Sequence, residues 1–380
     1  MLQTRAIAPH LTRHNEVGKP RRPVGDPVAP LKEYTRFIPI PYVPPNQYSV
    51  SLDILDPDAA QGARDEGRLV FHCVGDIGGI NGTATEEALA TAMEDQIKLA
   101  SPQSLPRFHY VLGDVIYYNG QERLYKQEFY EPYQYYPALI FAIPGNHDGD
   151  TRVHWGDPRD TEPSLYGFFN NFCAPAPEHV TPYRMSMTQP YCYWTLHAPF
   201  VTIIGLYSNV EGSLDARGRS EQQAYLEQQL SAAPADAKVL IAVHHPPYSL
   251  DGAHGGTPEI LIAIDRAIEA SGRLPNAVLS GHVHNYQRFT RTLEGKQIPY
   301  IVAGAGGYAN DARSMHKMQR KLLNVQLPFQ TTLSDVVLNN FQQDEPGFLR
   351  ITADPNSLLL EYFIVRFSDD SVELFDQVAV

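Results

Sequence analysis

From about residue 67 onward the chain is punctuated by seven short apolar runs. They are RLVFHCVGD (68–76), PRFHYVLGD (106–114), ALIFAIPGN (138–146), FVTIIGLYSN (200–209), KVLIAVHH (238–245), NAVLSGHVH (276–284) and PYIVAGAGG (299–307). Runs of this length, rich in β-branched residues, read as buried strands. Helical signals lie between several of them: Thr83 with Glu86 as a capping box, Ser220 with Gln223, and Thr257 followed by Pro258 at a first helical position. Strands alternating with helices predict an α/β or mixed layered domain. The segment PYCYWTLHAPFVTIIGLYS (190–208) reads instead as adjacent antiparallel strands, so part of the sheet is expected to be mixed.

Five of the runs end on residues able to bind metal. These are Asp76, Asp114, Asn146 with His147, His244 with His245, and His282 with His284. In open α/β sheets ligands gather at the carboxyl ends of strands, where all five sets fall. A strand-end Asp or His taken singly is more often a turn, a cap or a hydrogen-bonded residue. All five together predict one metal centre. Asp76, Asp114, Asn146, His244, His282 and His284 exceed the three protein ligands of a catalytic tetrahedral zinc, and a carboxylate can bridge two ions, so the count points to two metals. His282 and His284, two apart, share a face of an extended chain. Adjacent His244 and His245 face opposite ways, and position in the motif favours His244.

The net charge of −13 disfavours a polyanion-binding surface, and hence nucleic acid, without excluding a small phosphorylated substrate. No stretch approaches a membrane span, and the first 30 residues show no apolar core of a secretory signal, so a cytoplasmic location is expected. Cys73, Cys173 and Cys192 lack C-x-x-C spacing and read as buried thiols. Nine prolines within residues 1–46 block regular structure there. The expected organisation is a proline-rich N-terminal arm over residues 1–65 packing on a catalytic domain at 66–380. The oligomeric state is left open.

In order, the motifs GDIGG (75–79), GDVIYY (113–118), GNHD (145–148), VHHPPYS (243–249) and GHVHNYQR (281–288) resemble those of the calcineurin-like metallophosphoesterases. The resemblance covers about residues 66–310. It implies an α/β (α+β) fold with a two-sheet β-sandwich flanked by helices, and PGFLRITADPNSLLLEYFIV (346–365) reads as a closing C-terminal β-hairpin. Much of the superfamily carries Asp-x-His in the first motif, whereas here Gly78 follows Asp76 and Ile77. Tyr117, three residues after Asp114, matches instead the GDxxY motif of the purple acid phosphatase branch, which also carries Asp-x-Gly; Tyr118 is one residue out of register.

Asp76, Asp114, a Tyr117 phenolate and His284 form a hard, anionic donor set, and a phenol needs a highly charged ion to ionise it at neutral pH. Fe(III) is the expected occupant. The second ion would share Asp114 and take Asn146, His244 and His282, a set suited to Zn, Mn or Fe(II). The resemblance implies phosphate ester hydrolysis, with His147 as proton donor to the leaving group and Asp148 orienting its ring. His254, in SLDGAHGG (249–256), resembles a substrate-contacting His. Arg288 is read as either a phosphate contact or a salt bridge anchoring its loop. The aromatics of the 149–193 insertion, in HWGDP, YGFFNNF and YCYW, are expected to pack rather than to stack a nucleoside. A phosphodiesterase of the same superfamily is the alternative; a non-catalytic scaffold would show gaps in the donor set.

Overall fold

The computed structural model describes residues 24–29, 40–153, 157, 159–210, 214 and 221–380. Its strands in chain order are β1 (Ser49–Ser51), β2 (Leu69–Val74), β3 (Pro106–Leu112), β4 (Leu139–Ile143), β5 (Thr195–Ala198), β6 (Val201–Leu206), β7 (Lys238–Val243) and β8 (Ala277–Ser280). There follow β9 (Tyr286–Leu293), β10 (Lys296–Ala303), β11 (Phe329–Gln330), β12 (Val336–Gln342), β13 (Gly347–Ala353), β14 (Leu358–Val365) and β15 (Val372–Ala379). The α-helices are α1 (Leu52–Leu55), α2 (Pro57–Asp65), α3 (Ala84–Lys98), α4 (Asn146–Gly149), α5 (Tyr166–Phe172), α6 (Glu221–Ala232) and α7 (Pro258–Ser271).

Two mixed sheets carry the fold. One has nine strands in the order β1-β5-β6-β7-β8-β10-β9-β12-β11, the other six in the order β15-β14-β13-β2-β3-β4. Within the first, β6, β7 and β8 are parallel; within the second, β2, β3 and β4 are parallel. The antiparallel β5–β6 pair and the β13–β14 hairpin agree with the sequence pattern. Alternate residues of a strand feed two cores. Phe71 and Cys73 of β2 join Phe108, Phe141, Trp194, Ile203, Leu240 and Ile301, drawn from both sheets. Val74 of β2 and Ile204 and Leu206 of β6 face the other way, toward a core containing Leu89, Leu226 and Ile264 of α3, α6 and α7. Strands covered on both faces explain the near-continuous apolar runs.

Two local expectations are corrected. The irregular arm does not extend to residue 65: Ser49–Ser51 pair in parallel with β5, and α1 and α2 follow directly. Ser51 and Asp56 cap these helices through bonds from the Asp53 and Ala59 amides, a local chemistry that competes well with an extended arm. Most of residues 1–46, Ser220 and most of HWGDP lie outside the described residues. At α3 the capping box does not form, because the Thr83 hydroxyl bonds the Glu87 carboxylate at 2.6 Å and Glu86 is turned inward and fully buried. Thr257 and Pro258 do open α7. Phe168, Phe172, Tyr191 and Tyr193 are buried in the helix-side core, the packing role expected of the insertion's aromatics. All three cysteines are free thiols.

Candidate metal centre

The parallel strands of both sheets end at one edge, and the motif residues sit in the turns just beyond. Asp76, Asp114 and His282 all adopt left-handed backbone conformations, with φ of 57°, 51° and 68°. For residues other than Gly this stores about 1–3 kcal/mol each and is held only where surrounding bonds enforce it. Here they do: Asp76 N–H donates to Gly113 O and Ile77 N–H to Asp114 O, while the His282 and His147 amides donate to the Asp76 and Asp114 carboxylates at 2.6 and 2.9 Å.

Seven predicted donors converge. The Tyr117 hydroxyl lies 2.8 Å from Asp114 Oδ2, 3.0 Å from Asp76 Oδ1 and 3.1 Å from His284 Nε2. On the other side, His244 Nε2 lies 3.0 Å from Asn146 Oδ1 and 3.3 Å from Asp114 Oδ2. Donor atoms of Asp114, His244 and His282 lie within 4.8 Å of one another, a spacing that suits a cation. Asp114 thus stands between two groups of donors, as a bridging carboxylate must. The His244 ring is aimed by a bond between Nδ1 and Leu112 O at 2.9 Å.

Gly78 has a steric reason to be Gly. A Cβ there would stand 2.7 Å from Ile116 Cα and 2.8 Å from Val115 O. The backbone that carries Tyr117 into the site therefore occupies the space a side chain at 78 would need. A His at 78 and this Tyr117 loop exclude each other.

The electrostatics describe a cluster that wants positive charge. Burial pushes the Asp76 carboxyl well above its usual range, with His244 pulling it down and Asp114 pushing it up. For Asp114 burial also works upward, but His244, His147 and His282 outweigh it and hold the carboxylate low. Burial works against a charged His244, yet Asp114 and Asp76 outweigh it and raise the imidazole to about 9. Two carboxylates this close titrate as a pair and cannot both ionise freely without a compensating cation. Burial, then Asp114 and Asp76, push the Tyr117 phenol well above its usual value, so its ionisation needs a cation as well. Burial keeps His282 and His284 neutral, the form that binds metal. These residues fit the binuclear centre that the fold implies.

The remaining predicted residues are distributed as follows. His147, half-buried, places Nδ1 2.6 Å from Tyr118 O, with its ring 4.5 Å from that of Tyr117. Asp148 does not orient that ring: its fully buried carboxylate accepts the Gly145 and Val115 amides and the Tyr125 hydroxyl, because the tight turn of GNHD directs it back under the loop. His254 stands at the rim, its ring 4.6 Å from that of His282. His245 packs 4.3 Å from the His282 ring and meets Ser208 Oγ at 2.8 Å, so it supports the site rather than facing away. Arg288 pairs with Asp376 at 2.7 and 3.0 Å, which settles it as an anchor. Tyr308 and His316 were not marked by the sequence pattern, yet both rings pack on His284. They come from a loop without periodicity, and no local signal points to them.

Two sheets that deliver carboxylates and imidazoles to one edge define a metal-dependent phosphoesterase architecture. The chain belongs to the calcineurin-like phosphoesterase family, whose model matches residues 69–286, more than half of it. Human tartrate-resistant acid phosphatase type 5 is 26% identical over 293 residues, covering 73% of this chain and 83% of the relative. A probable glycerophosphodiester phosphodiesterase, GpdQ of Arcobacter nitrofigilis, is 29% identical over 187 residues, 49% of this chain and 58% of the relative. Among solved structures, purple acid phosphatase PPD1 from yellow lupin (Lupinus luteus) seeds superposes with a TM-score of 0.57 at 16% identity, over 82% of this chain and 53% of that one. The chain thus spans little more than half the length of these last two proteins. The family implies a binuclear metal centre, and within the family the chain is most like the purple acid phosphatases. Among the described residues no helix is long and apolar enough to cross a membrane.

Proposed function

We propose that this protein is a binuclear metal-dependent phosphomonoesterase of the purple acid phosphatase type. The observation that carries the reading is the convergence of Asp76, Asp114, Tyr117 and His284 on one side and Asn146, His244 and His282 on the other, with Asp114 shared. The first set would hold Fe(III), the second Zn, Mn or Fe(II). When bound, such ions supply Lewis acidity and make water a competent nucleophile near neutral pH. The substrate is a small phosphate ester, and no side chain of the chain need act as nucleophile.

His147 supplies the proton to the leaving oxygen. His147 Nδ1–H donates to the Tyr118 carbonyl, so Nε2 is the position that gains and delivers the transferred proton. Asp148 keeps the GNHD turn closed beneath Asn146 and His147 through its bonds to Gly145 and Val115. His254, whose ring lies beside that of His282, would donate to a phosphate oxygen. The likeness to GpdQ supports a second reading, hydrolysis of diesters at the same site.

The test is a visible spectrum with metal analysis on one sample, beside turnover of a monoester and a bis-ester model substrate. A tyrosinate-to-iron band that vanishes in Tyr117→Phe, with preferred monoester turnover, is the expected result. A colourless protein with two divalent ions, unaltered by Tyr117→Phe and faster on the diester, moves the assignment to the diesterase.

A further inference from the structure

The imidazoles of the site are aimed in different ways. His244 has the usual support, its distal Nδ1 meeting the Leu112 carbonyl. His284 points Nε2 at Asp76 Oδ1 (3.2 Å) and Tyr117 (3.1 Å), which leaves Nδ1 as its distal nitrogen. That nitrogen is buried, and among the described residues it has no hydrogen-bond partner. A metal-binding His almost always has a hydrogen-bonded distal nitrogen to set ring orientation, so His284 must be oriented by something else.

The loop after β10 supplies it. The His316 ring lies 4.0 Å from that of His284, at 20° between planes, and the Tyr308 ring 3.6 Å away at 35°. Backbone bonds lock the arrangement. His284 N–H donates to His316 Nδ1 at 3.0 Å, His316 N–H donates to His284 O at 3.1 Å, and Asn285 Nδ2 donates to His316 O at 2.9 Å. Because His316 Nδ1 is an acceptor, its ring proton sits on Nε2 while neutral. Tyr308 also reaches the rest of the oxygen-rich half-site: its amide donates to Asp76 O at 3.2 Å, and its ring packs 4.9 Å from that of Tyr117. One short segment therefore touches Asp76, Tyr117 and His284 together.

A third cation site beside it is the competing use of His316, since donor atoms of Asp251, His254 and His316 also approach within 4.8 Å. The Asp251 carboxylate, however, accepts the Ala253, His254 and Gly255 amides and the Ser249 hydroxyl. It is the cap of its own loop, and the neighbouring imidazoles have no free anion to share.

We propose that Tyr308 and His316 are positioning residues, an aromatic bracket that replaces the missing distal hydrogen bond and sets the orientation of His284 toward the ion of the Tyr117 site. This rests on the metal-centre reading given above. The experiment follows metal release to a chelator from each half-site and the position of the tyrosinate band. His316→Asn keeps an acceptor for the His284 amide and removes the stacked ring; His316→Phe keeps a ring; Tyr308→Leu tests the second wall.

In His316→Asn and Tyr308→Leu the Tyr117-site ion should leave about 10–100-fold faster, the size of effect that outer partners of metal ligands have. The band should shift while the other ion leaves at the parental rate, and His316→Phe should stay closer to the parent. Parental release rates and an unmoved band in both substituted proteins would overturn the bracket alone. A parent protein that takes up no ion at the Tyr117 site would overturn the metal-centre reading beneath it. Equal acceleration at both half-sites would show general loosening of the loop and also overturn the proposal.

Discussion

The six-stranded and nine-stranded sheets meet the site with different chemistry. The ends of β2, β3 and β4 deliver oxygen donors: Asp76, Asp114, Tyr117 and Asn146. The ends of β7 and β8 deliver nitrogen donors: His244, His282 and His284. Each group of converging donors draws on both sheets, since Tyr117 meets His284 and Asn146 meets His244. The site is therefore also a seam across the top of the sandwich. The oxygen side is anionic and carries two of the three left-handed donors, whereas burial holds His282 and His284 neutral on the nitrogen side. The carboxylates thus lie on one side, and the two neutral rings on the other.

The strongest way to break this comparison is at Asp114, the donor common to both groups. Asp114→Asn should lower kcat/KM by at least about 10³-fold, roughly 4 kcal/mol of transition-state stabilisation. Tyr117→Phe and His244→Ala should each affect one ion more than the other in metal analysis. If Asp114→Asn keeps both ions at full occupancy, the shared role is wrong.

A smaller effect is expected from Gly78→Ala, which pushes a methyl group against the Ile116 backbone on the oxygen side. Overpacking of this kind costs about 1–3 kcal/mol. Denaturant melts should show that loss together with weaker metal uptake at the Tyr117 site. Unchanged uptake would mean that the loop carrying Tyr117 can move aside.

A pH-dependent effect sharpens the contrast by leaving the site altogether. His72 on β2 is fully buried against Tyr136 and Gln96, and burial pushes its imidazole down to about 3. The folded protein keeps it neutral while the unfolded chain binds a proton near pH 6.5. Its contribution is therefore whole above pH 6.5 and is lost as pH falls toward 3, by about 1.4 kcal/mol per pH unit. Metal-free protein melted between pH 7 and 4 should lose stability more steeply than His72→Gln; parallel curves would refute the assignment.

The candidate donors were legible because they stand next to strands whose apolar pattern is strong, so position along the chain already implied position in space. Other features were hidden for definite reasons. Asp148 looked like a partner for His147, but a four-residue turn reverses its side chain into the Gly145 and Val115 amides. The capping signal at Thr83 failed because Glu87, one turn on, competes for the hydroxyl. The segment from 49 to 65 was masked by the prolines preceding it. Tyr308 and His316 lie 24 and 32 residues beyond His284 along the chain, so only folding of the β10 loop brings their rings together.

By itself the sequence determined the layered α/β architecture, the strand-end donors and the exchange of a side chain at 78 for Tyr117, because each depends on local pattern and on fixed spacing within a motif. The tertiary structure alone decided which donors meet, why Gly78 cannot carry a side chain, and which rings pack on His284. Those outcomes depend on distances between segments remote in sequence, set by how the two sheets and their loops pack.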